Sequence, residues 1–331
     1  MVRNRRLRAA LLVVVSLAAV GALVVTADPG RIASAFRRFN LAFLPIVVAL
    51  SIGFYVLQGV RWWTLNRVLG IRFSLGGTIF LAEAGQATAM LPLGELTRAL
   101  LLSRAARVDF GATVATETVQ ELLFVFMLFV VALPKAVALH FIAVAVIVPI
   151  LLIVAIVIVL TVESFYARMR RVVARVPGLR NLLSSIDELH RDTRVLFRHR
   201  DTYAYLPISI AQVVMQVSML WFIAGAIAPG KLSWTSAGFV YAVTQGASWL
   251  SFSPGGLGAV EASTAGLLVS LGFTFDVATA VSILQRIADK GLNTIIGAVC
   301  FVLARRRYDL RGTSIFRMGV DELPVAQPAP G

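Results

Sequence analysis

Cysteine is nearly missing from this chain. Cys300 is the only one and lies in an apolar run, so neither a disulfide nor a thiolate metal site can be built from it. Histidine is almost as scarce: His140, His190 and His199 are scattered and lack the i, i+4 spacing of a helical zinc site. Charge is short as well. Only 15% of the 331 residues are Asp, Glu, Lys or Arg, where a soluble domain carries about 25%. No G-x-x-x-x-G-K-[ST] loop occurs, which argues against ATP hydrolysis by this chain. No cofactor and no metal are therefore expected.

What fills the chain instead is apolar side chain, 58% of residues with a mean hydropathy of +0.84. The expected fold class is an all-α polytopic membrane protein, because a helix satisfies its own backbone in hydrocarbon. The net charge of +14 would point to nucleic acid in a soluble protein. Here the basic residues cluster at the ends of apolar segments, so membrane lipids with anionic headgroups are the expected partners, and nucleic acid is not.

Six spans are expected, at residues 9–27, 41–63, 110–133, 139–162, 203–228 and 275–304. Arg61-Trp62-Trp63 closes the second with the basic and aromatic pairing of a membrane interface. Residues 163–201 are arginine-rich and divided by Pro177-Gly178, which predicts two amphipathic surface helices. Arginine placement puts this segment, both termini and Arg305-Arg306-Arg307 in the cytoplasm of a cell-membrane protein, although Arg31, Arg37 and Arg38 then face outward. The tail, 308–331, reads as disordered, and 1–307 as a single transmembrane domain.

Two segments break the pattern. Between residues 76 and 104 an apolar run is interrupted by Glu83, Gln86 and L-P-L-G-E, with Pro92, Gly94, Glu95 and Arg98. Between 234 and 272 stands S-P-G-G-L-G-A-V-E, with Pro254, Gly255, Gly256, Gly258 and Glu261. Backbone that leaves the helix at membrane depth needs protein or a wet cavity around it, and a carboxylate there marks function. Each segment reads as a re-entrant hairpin or as a pair of broken spans. When Glu95 is laid over Glu261, Ala112-Thr113-Val114 lies as far along as Ala278-Thr279-Ala280. After a two-residue slip, Glu117 to Glu121 falls on Gln285 to Asp289. The two halves, about 41–133 and 203–304, follow spans of opposite direction, so the expected arrangement is an inverted repeat with two broken hairpins, a recurring plan of secondary transporters.

The string S-P-G-G-L-G-A-V-E-A (253–262) resembles the most recognisable motif of the lysylphosphatidylglycerol synthase/flippase integral-membrane family. Arg61-Trp62, L-P-L-G-E-L-T-R-A (91–99) and Gln285-Arg286-x-x-Asp289 are similar to that family's pattern in the same order. Two features depart from it. Glu117-Thr118-Val119-Gln120-Glu121 lacks an arginine common at that place, and no basic residue follows Pro92. The resemblance implies a standalone flippase-like membrane domain without the aminoacyl-transferase domain of bifunctional members.

For chemistry, Arg98 and Arg286 are the candidates to hold a lipid phosphate, since guanidinium binds phosphate in a bidentate way. Glu95 and Glu261 follow the breaks, where they cap exposed backbone, line a path, or do both. Competing partners are Glu95 for Arg98 and Asp289 for Arg286, each one helical turn away. Glu117, Glu121 and Asp289 are placed in the same interior, pairing with the arginines or carrying protons. The leading expectation is a lipid translocase for a phospholipid, an aminoacylated lipid or a polyprenyl-phosphate-linked amphiphile, not an enzyme. The alternatives are a polyprenyl-phosphate-dependent transferase and a membrane scaffold for a partner enzyme. Self-association is left open.

Overall fold

The computed structural model describes residues 29–89, 94, 96–138, 144–175, 183–251 and 256–308. The expected first span and the polar tail beyond Tyr308 lie outside these residues, as do Pro92, Glu95, His140, Pro177, Gly178, Pro254 and Gly255. The described elements are all helical: α1 (Pro29–Arg37), α2 (Leu44–Val68), α3 (Leu75–Gln86), α4 (Leu96–Ala106), α5 (Phe110–Ala138), α6 (Val144–Thr161), α7 (Glu163–Arg175), α8 (Leu183–Arg198) and α9 (Arg200–Ala204). There follow α10 (Leu206–Ile227), α11 (Trp234–Leu250), α12 (Ala259–Ser270), α13 (Phe275–Arg286), a π-turn (Ile287–Gly291) and α14 (Leu292–Arg307).

Five stretches are long and apolar enough to cross a membrane: Leu41–Val68, Phe110–Ala138, Val144–Thr161, Arg200–Ile227 and Phe275–Arg307. Sequence explains their starts. Pro45 and Pro207 sit in the first turns of α2 and α10, where a missing N–H costs nothing. Asn40 accepts the Ala42 N–H at 3.0 Å ahead of α2, and Ser74 accepts the Gly77 N–H at 3.1 Å to open α3. By contrast α3, α4 and α12 have 12, 11 and 12 residues. At 1.5 Å per residue each reaches only about 18 Å, short of a hydrocarbon core about 30 Å thick.

Packing places these short helices inside the bundle. α2 and α10 lie side by side at the centre. α3 packs on α2, on α4 and on α14, while α11 packs on α10, on α12 and on α5. Contact between α3 and α14 is backbone to backbone: a Cβ added to Gly297 would stand 2.6 Å from the Glu83 carbonyl oxygen and 2.7 Å from the Ala87 nitrogen. The main core gathers Phe54, Leu128, Phe129, Val217, Leu220, Phe239 and Leu268 from α2, α5, α10, α11 and α12. α6 stands apart, burying only Val146 and Ile153, as a helix surrounded by acyl chains would.

α7 and α8 form the polar, arginine-rich part of the chain. Tyr166 stacks on His190 with ring centroids 3.7 Å apart and donates its hydroxyl to Asp187, which also takes Arg170 Nε at 2.7 Å and Nη2 at 3.0 Å. α8 lies along α5. There a hydrogen bond with Asp109, followed by burial and the Asp109 charge, raises the Glu188 carboxyl from 4.5 to about 7, against the opposing pull of Arg191.

Arg61 and Trp62 do not serve as interface anchors. α2 runs on to Val68, so the pair falls inside the bundle, fully buried. Arg61 Nη2 donates to the Thr202 carbonyl at 2.6 Å, and Trp62 Nε1 donates to Thr116 Oγ1 at 2.9 Å. The expected anchoring pair sits further along: Trp63 is half-buried and carries the Arg67 guanidinium 4.8 Å above its ring.

Candidate functional site

Among the described residues, Arg98 of the first irregular segment and Glu261 of the second are buried in the protein interior, and each sits in a charged cluster of its own. In the first, α4 presents Arg98 to α5. Arg98 Nε donates to Glu117 Oε1 at 2.6 Å and Nη2 to Glu121 Oε1 at 2.8 Å, the two carboxylates standing one turn apart on α5. Arg98 and Glu117 are buried, whereas the Glu121 side chain is 34% exposed. Gly85 lets α3 lie close against α4 at this point: an added Cβ at Gly85 would lie 2.5 Å from Arg98 Cβ. The turn before α4 is tied by Thr88, whose hydroxyl meets the Gly94 carbonyl at 2.9 Å and Thr97 Oγ1 at 2.7 Å.

A glutamine relay extends this cluster. Gln58 Nε2 donates to Glu121 Oε1 at 3.2 Å, and Gln86 Nε2 to Gln58 Oε1 at 3.4 Å. Arg98 is thus held by α5; Glu95, its expected competing partner, lies outside the described residues.

In the second cluster Gly258, at φ +83°, starts α12, and Glu261 Oε2 accepts the Gly258 N–H at 2.7 Å. The other carboxylate oxygen faces Arg286 Nε at 3.3 Å. Glu261 therefore caps its helix and meets a cation at the same time. Arg286 takes this partner from α12; Asp289, its expected intrahelical partner, is engaged elsewhere. Asp289 Oδ1 accepts Tyr55 Oη at 3.0 Å and Gln216 Nε2 at 3.1 Å, from α2 and α10. The physical reason is the π-turn, which opens the helix between Arg286 and Leu292 and changes the direction of the residues within it. Asn293 Nδ2 braces that turn, donating to the Asp289 carbonyl and to Ser51 Oγ, each at 2.7 Å.

A cavity of about 680 Å³ separates the clusters. Arg98, Glu117, Glu121, Arg286, Asp289 and Lys290 line it, with Gly94 and Gly256 from the two breaks. Glu261 joins this wall through Arg286. Five of the charged residues singled out in the sequence thus share one chamber. Its walls are otherwise mixed: Gln58, Gln216 and Gln245 alternate with Phe54, Phe124, Tyr241 and Trp249. Among the described residues, no group of three or more His, Cys, Asp or Glu could hold a metal ion.

The family model described as "Lysylphosphatidylglycerol synthase TM region" matches residues 9–297, most of the chain and every residue lining the chamber. The chain belongs to this family. A comparison with curated proteins finds no match. In this member of the lysylphosphatidylglycerol synthase transmembrane family, the matched region is the multi-pass membrane part, consistent with lipid translocation.

Sequence reading missed several polar residues in the chamber wall or hydrogen-bonded to the π-turn beside it. Ser51, Tyr55 and Gln58 lie on one face of α2 at helical spacing, within an otherwise apolar run, and that polar stripe was the available signal. Gln216 of α10 stands one turn after Gln212 in its span, and that pair of amides was the signal there. Lys290 was visible as a charge in the last span, but its position on the π-turn was not.

Proposed function

We propose that this chain moves a lipid between the two leaflets of a cell membrane, with its headgroup passing through the chamber between the charged clusters and its tails left in the surrounding acyl chains. The carrying observation is the chamber itself. Its volume falls within the range of about 300–1,000 Å³ usual for small-molecule sites. Fixed charges of both signs line it, where hydrocarbon alone gives a headgroup no polar partner. A phospholipid, an aminoacylated lipid or a polyprenyl-phosphate-linked amphiphile fits this description.

An inverted repeat supports the reading. Let α2 correspond to α10, α3 to α11, α4 to α12, and α5 to the unit of α13, the π-turn and α14. The contact of α3 with α14 then has its counterpart in α11 with α5, and α2 with α3 in α10 with α11. Likewise α4 against α5 matches α12 against α13. A pseudo-twofold through the α2–α10 contact accounts for these matches, and helix breaks facing each other across such an axis are how transporter sites are built. In this reading α3–α4 and α11–α12 are the two broken hairpins, and the arginines of α7 and α8 lie on the cytoplasmic side. Glu95, Pro92, Pro254 and Gly255 belong to the breaks by sequence.

The test is the rate at which a fluorescent phospholipid becomes accessible to a membrane-impermeant quencher in proteoliposomes. Purified protein should exceed protein-free vesicles, and Glu261→Gln and Arg286→Ala should each slow the movement by about tenfold or more, the equivalent of about 1.4 kcal/mol or more in barrier height. Variants that move lipid as fast as wild type would show that the chamber is not the path.

A further inference from the structure

We infer that Lys290, together with the amide of Gln285, forms a phosphate-binding subsite inside the chamber, a deepening that rests on the lipid-movement reading above. The balance of charge around the chamber points there. Three cations line it: Arg98, Arg286 and Lys290. Two carboxylates hold Arg98, at 2.6 and 2.8 Å. Arg286 faces Glu261 at 3.3 Å. Lys290 has no carboxylate within ion-pair reach among the described residues; its recorded contact is the ring of Tyr55, 5.9 Å from Nζ. Adjacent Asp289 does not neutralise it, because Tyr55 and Gln216 hold Asp289 Oδ1 on the side of α2 and α10.

An ammonium half-buried in a chamber is destabilised unless an anion accompanies it. Gln285 points to the same ligand independently. It lines the chamber, is only 6% exposed, and neither its Nε2 nor its Oε1 has a hydrogen-bond partner among the described residues. A buried amide left without partners costs about 1–3 kcal/mol, so such a group marks a place where a ligand completes the bonding. Gln285 and Lys290 stand on either side of the point where the helix opens into the π-turn, and π-turns of this kind recur at functional sites. An anion between them receives an ammonium and an N–H donor, with the Tyr55 ring beside the ammonium.

The shared chemistry is a phosphate oxygen, on a lipid headgroup or on free phosphate. This assigns Lys290 a task that the paired arginines cannot take up without first giving up their carboxylates. Arg98 and Arg286, the candidates favoured by guanidinium chemistry, then act as walls, while Lys290 makes the contact.

Native mass spectrometry of the full-length protein in mild detergent tests this without relying on lipid movement. Equal amounts of phosphatidylglycerol and of a glucosyl diacylglycerol, which lacks phosphate, are offered to wild type, Lys290→Ala, Lys290→Arg and Gln285→Leu. A parallel arm measures thermal stabilisation by inorganic phosphate. Phosphatidylglycerol adducts should fall by about tenfold in Lys290→Ala, as for loss of one charge-assisted contact, and survive in Lys290→Arg. Gln285→Leu should lower them by a smaller factor, and glucosyl diacylglycerol adducts should not change. Stabilisation by inorganic phosphate that depends on Lys290, without lipid adducts that do, supports the anion subsite and removes it from lipid movement. Wild-type phosphatidylglycerol occupancy in Lys290→Ala overturns the proposal. So does an equal loss of the phosphate-free lipid, because that reports damage to the chamber.

Discussion

The two charged walls of the chamber, which the proposed repeat sets in correspondence, hold their charges differently. In the first, Arg98 is buried against Glu117 and Glu121, and an uninterrupted helix carries both carboxylates. In the second, the helix opens into a π-turn, Arg286 meets Glu261 at the longer distance of 3.3 Å, and Asp289 turns to a tyrosine and a glutamine. The first wall is closed electrostatically; among the described residues, the second retains a lysine with no carboxylate. Under the proposed repeat, the two halves divide their tasks, one as a rigid brace and the other as a surface ready for a ligand.

The largest expected effect breaks the brace. Arg98→Ala leaves two carboxylates in the interior without their cation, and removal of one partner from a buried pair costs about 3–5 kcal/mol. This variant should lose more melting temperature in detergent than any other single substitution on either wall. On the second wall, Arg286→Ala should be milder in stability, about 1.5–3 kcal/mol, the scale of one hydrogen bond to a charged group. If Arg286→Ala destabilises as much as Arg98→Ala, the walls are equivalent and the contrast fails. Gly85→Ala should act on the first wall by a different route. Its new Cβ would meet Arg98 Cβ at 2.5 Å and Arg98 Cα at 2.9 Å, and overpacking of this kind costs about 1–3 kcal/mol.

The smallest effect lies outside the chamber, where α8 rests on the start of α5. The Glu188 carboxyl is raised to about 7 in the folded chain, chiefly by its hydrogen bond with Asp109, from an ordinary 4.5. The folded state therefore holds the proton more tightly than the unfolded state, and stability falls as pH rises from about 4.5 through 7. Glu188→Gln should flatten that dependence and melt higher than wild type at pH 8. Equal melting curves at pH 8 would contradict a strained acid pair at this junction.

Much of this arrangement is legible in the amino-acid order, because burying charge in a membrane is costly enough to leave a record. Arg98, Glu117, Glu121, Arg286 and Asp289 stood out in apolar runs and do line one chamber. Their pairings were not legible. Helical spacing favoured Asp289 for Arg286, but a π-turn is a change of backbone register that no single residue announces, and it redirects Asp289 to α2 and α10. Arg61 and Trp62 were misplaced for a related reason. An interface pair and a buried pair look alike in sequence, and only the extra turns of α2 distinguish them. The glutamines Gln58, Gln86 and Gln216 carry no charge and so draw little attention, although their hydrogen bonds tie both clusters to the central helices.

The central claim is that both walls serve one path. The most direct measurement is a double-mutant cycle on the rate of phospholipid movement in proteoliposomes, using Glu121→Gln and Arg286→Gln, one on each wall. Residues that act as a unit are non-additive. The double variant should therefore move lipid about as slowly as the slower single variant. Rates that fall by the product of the two single effects would place the walls on separate functions and contradict the account.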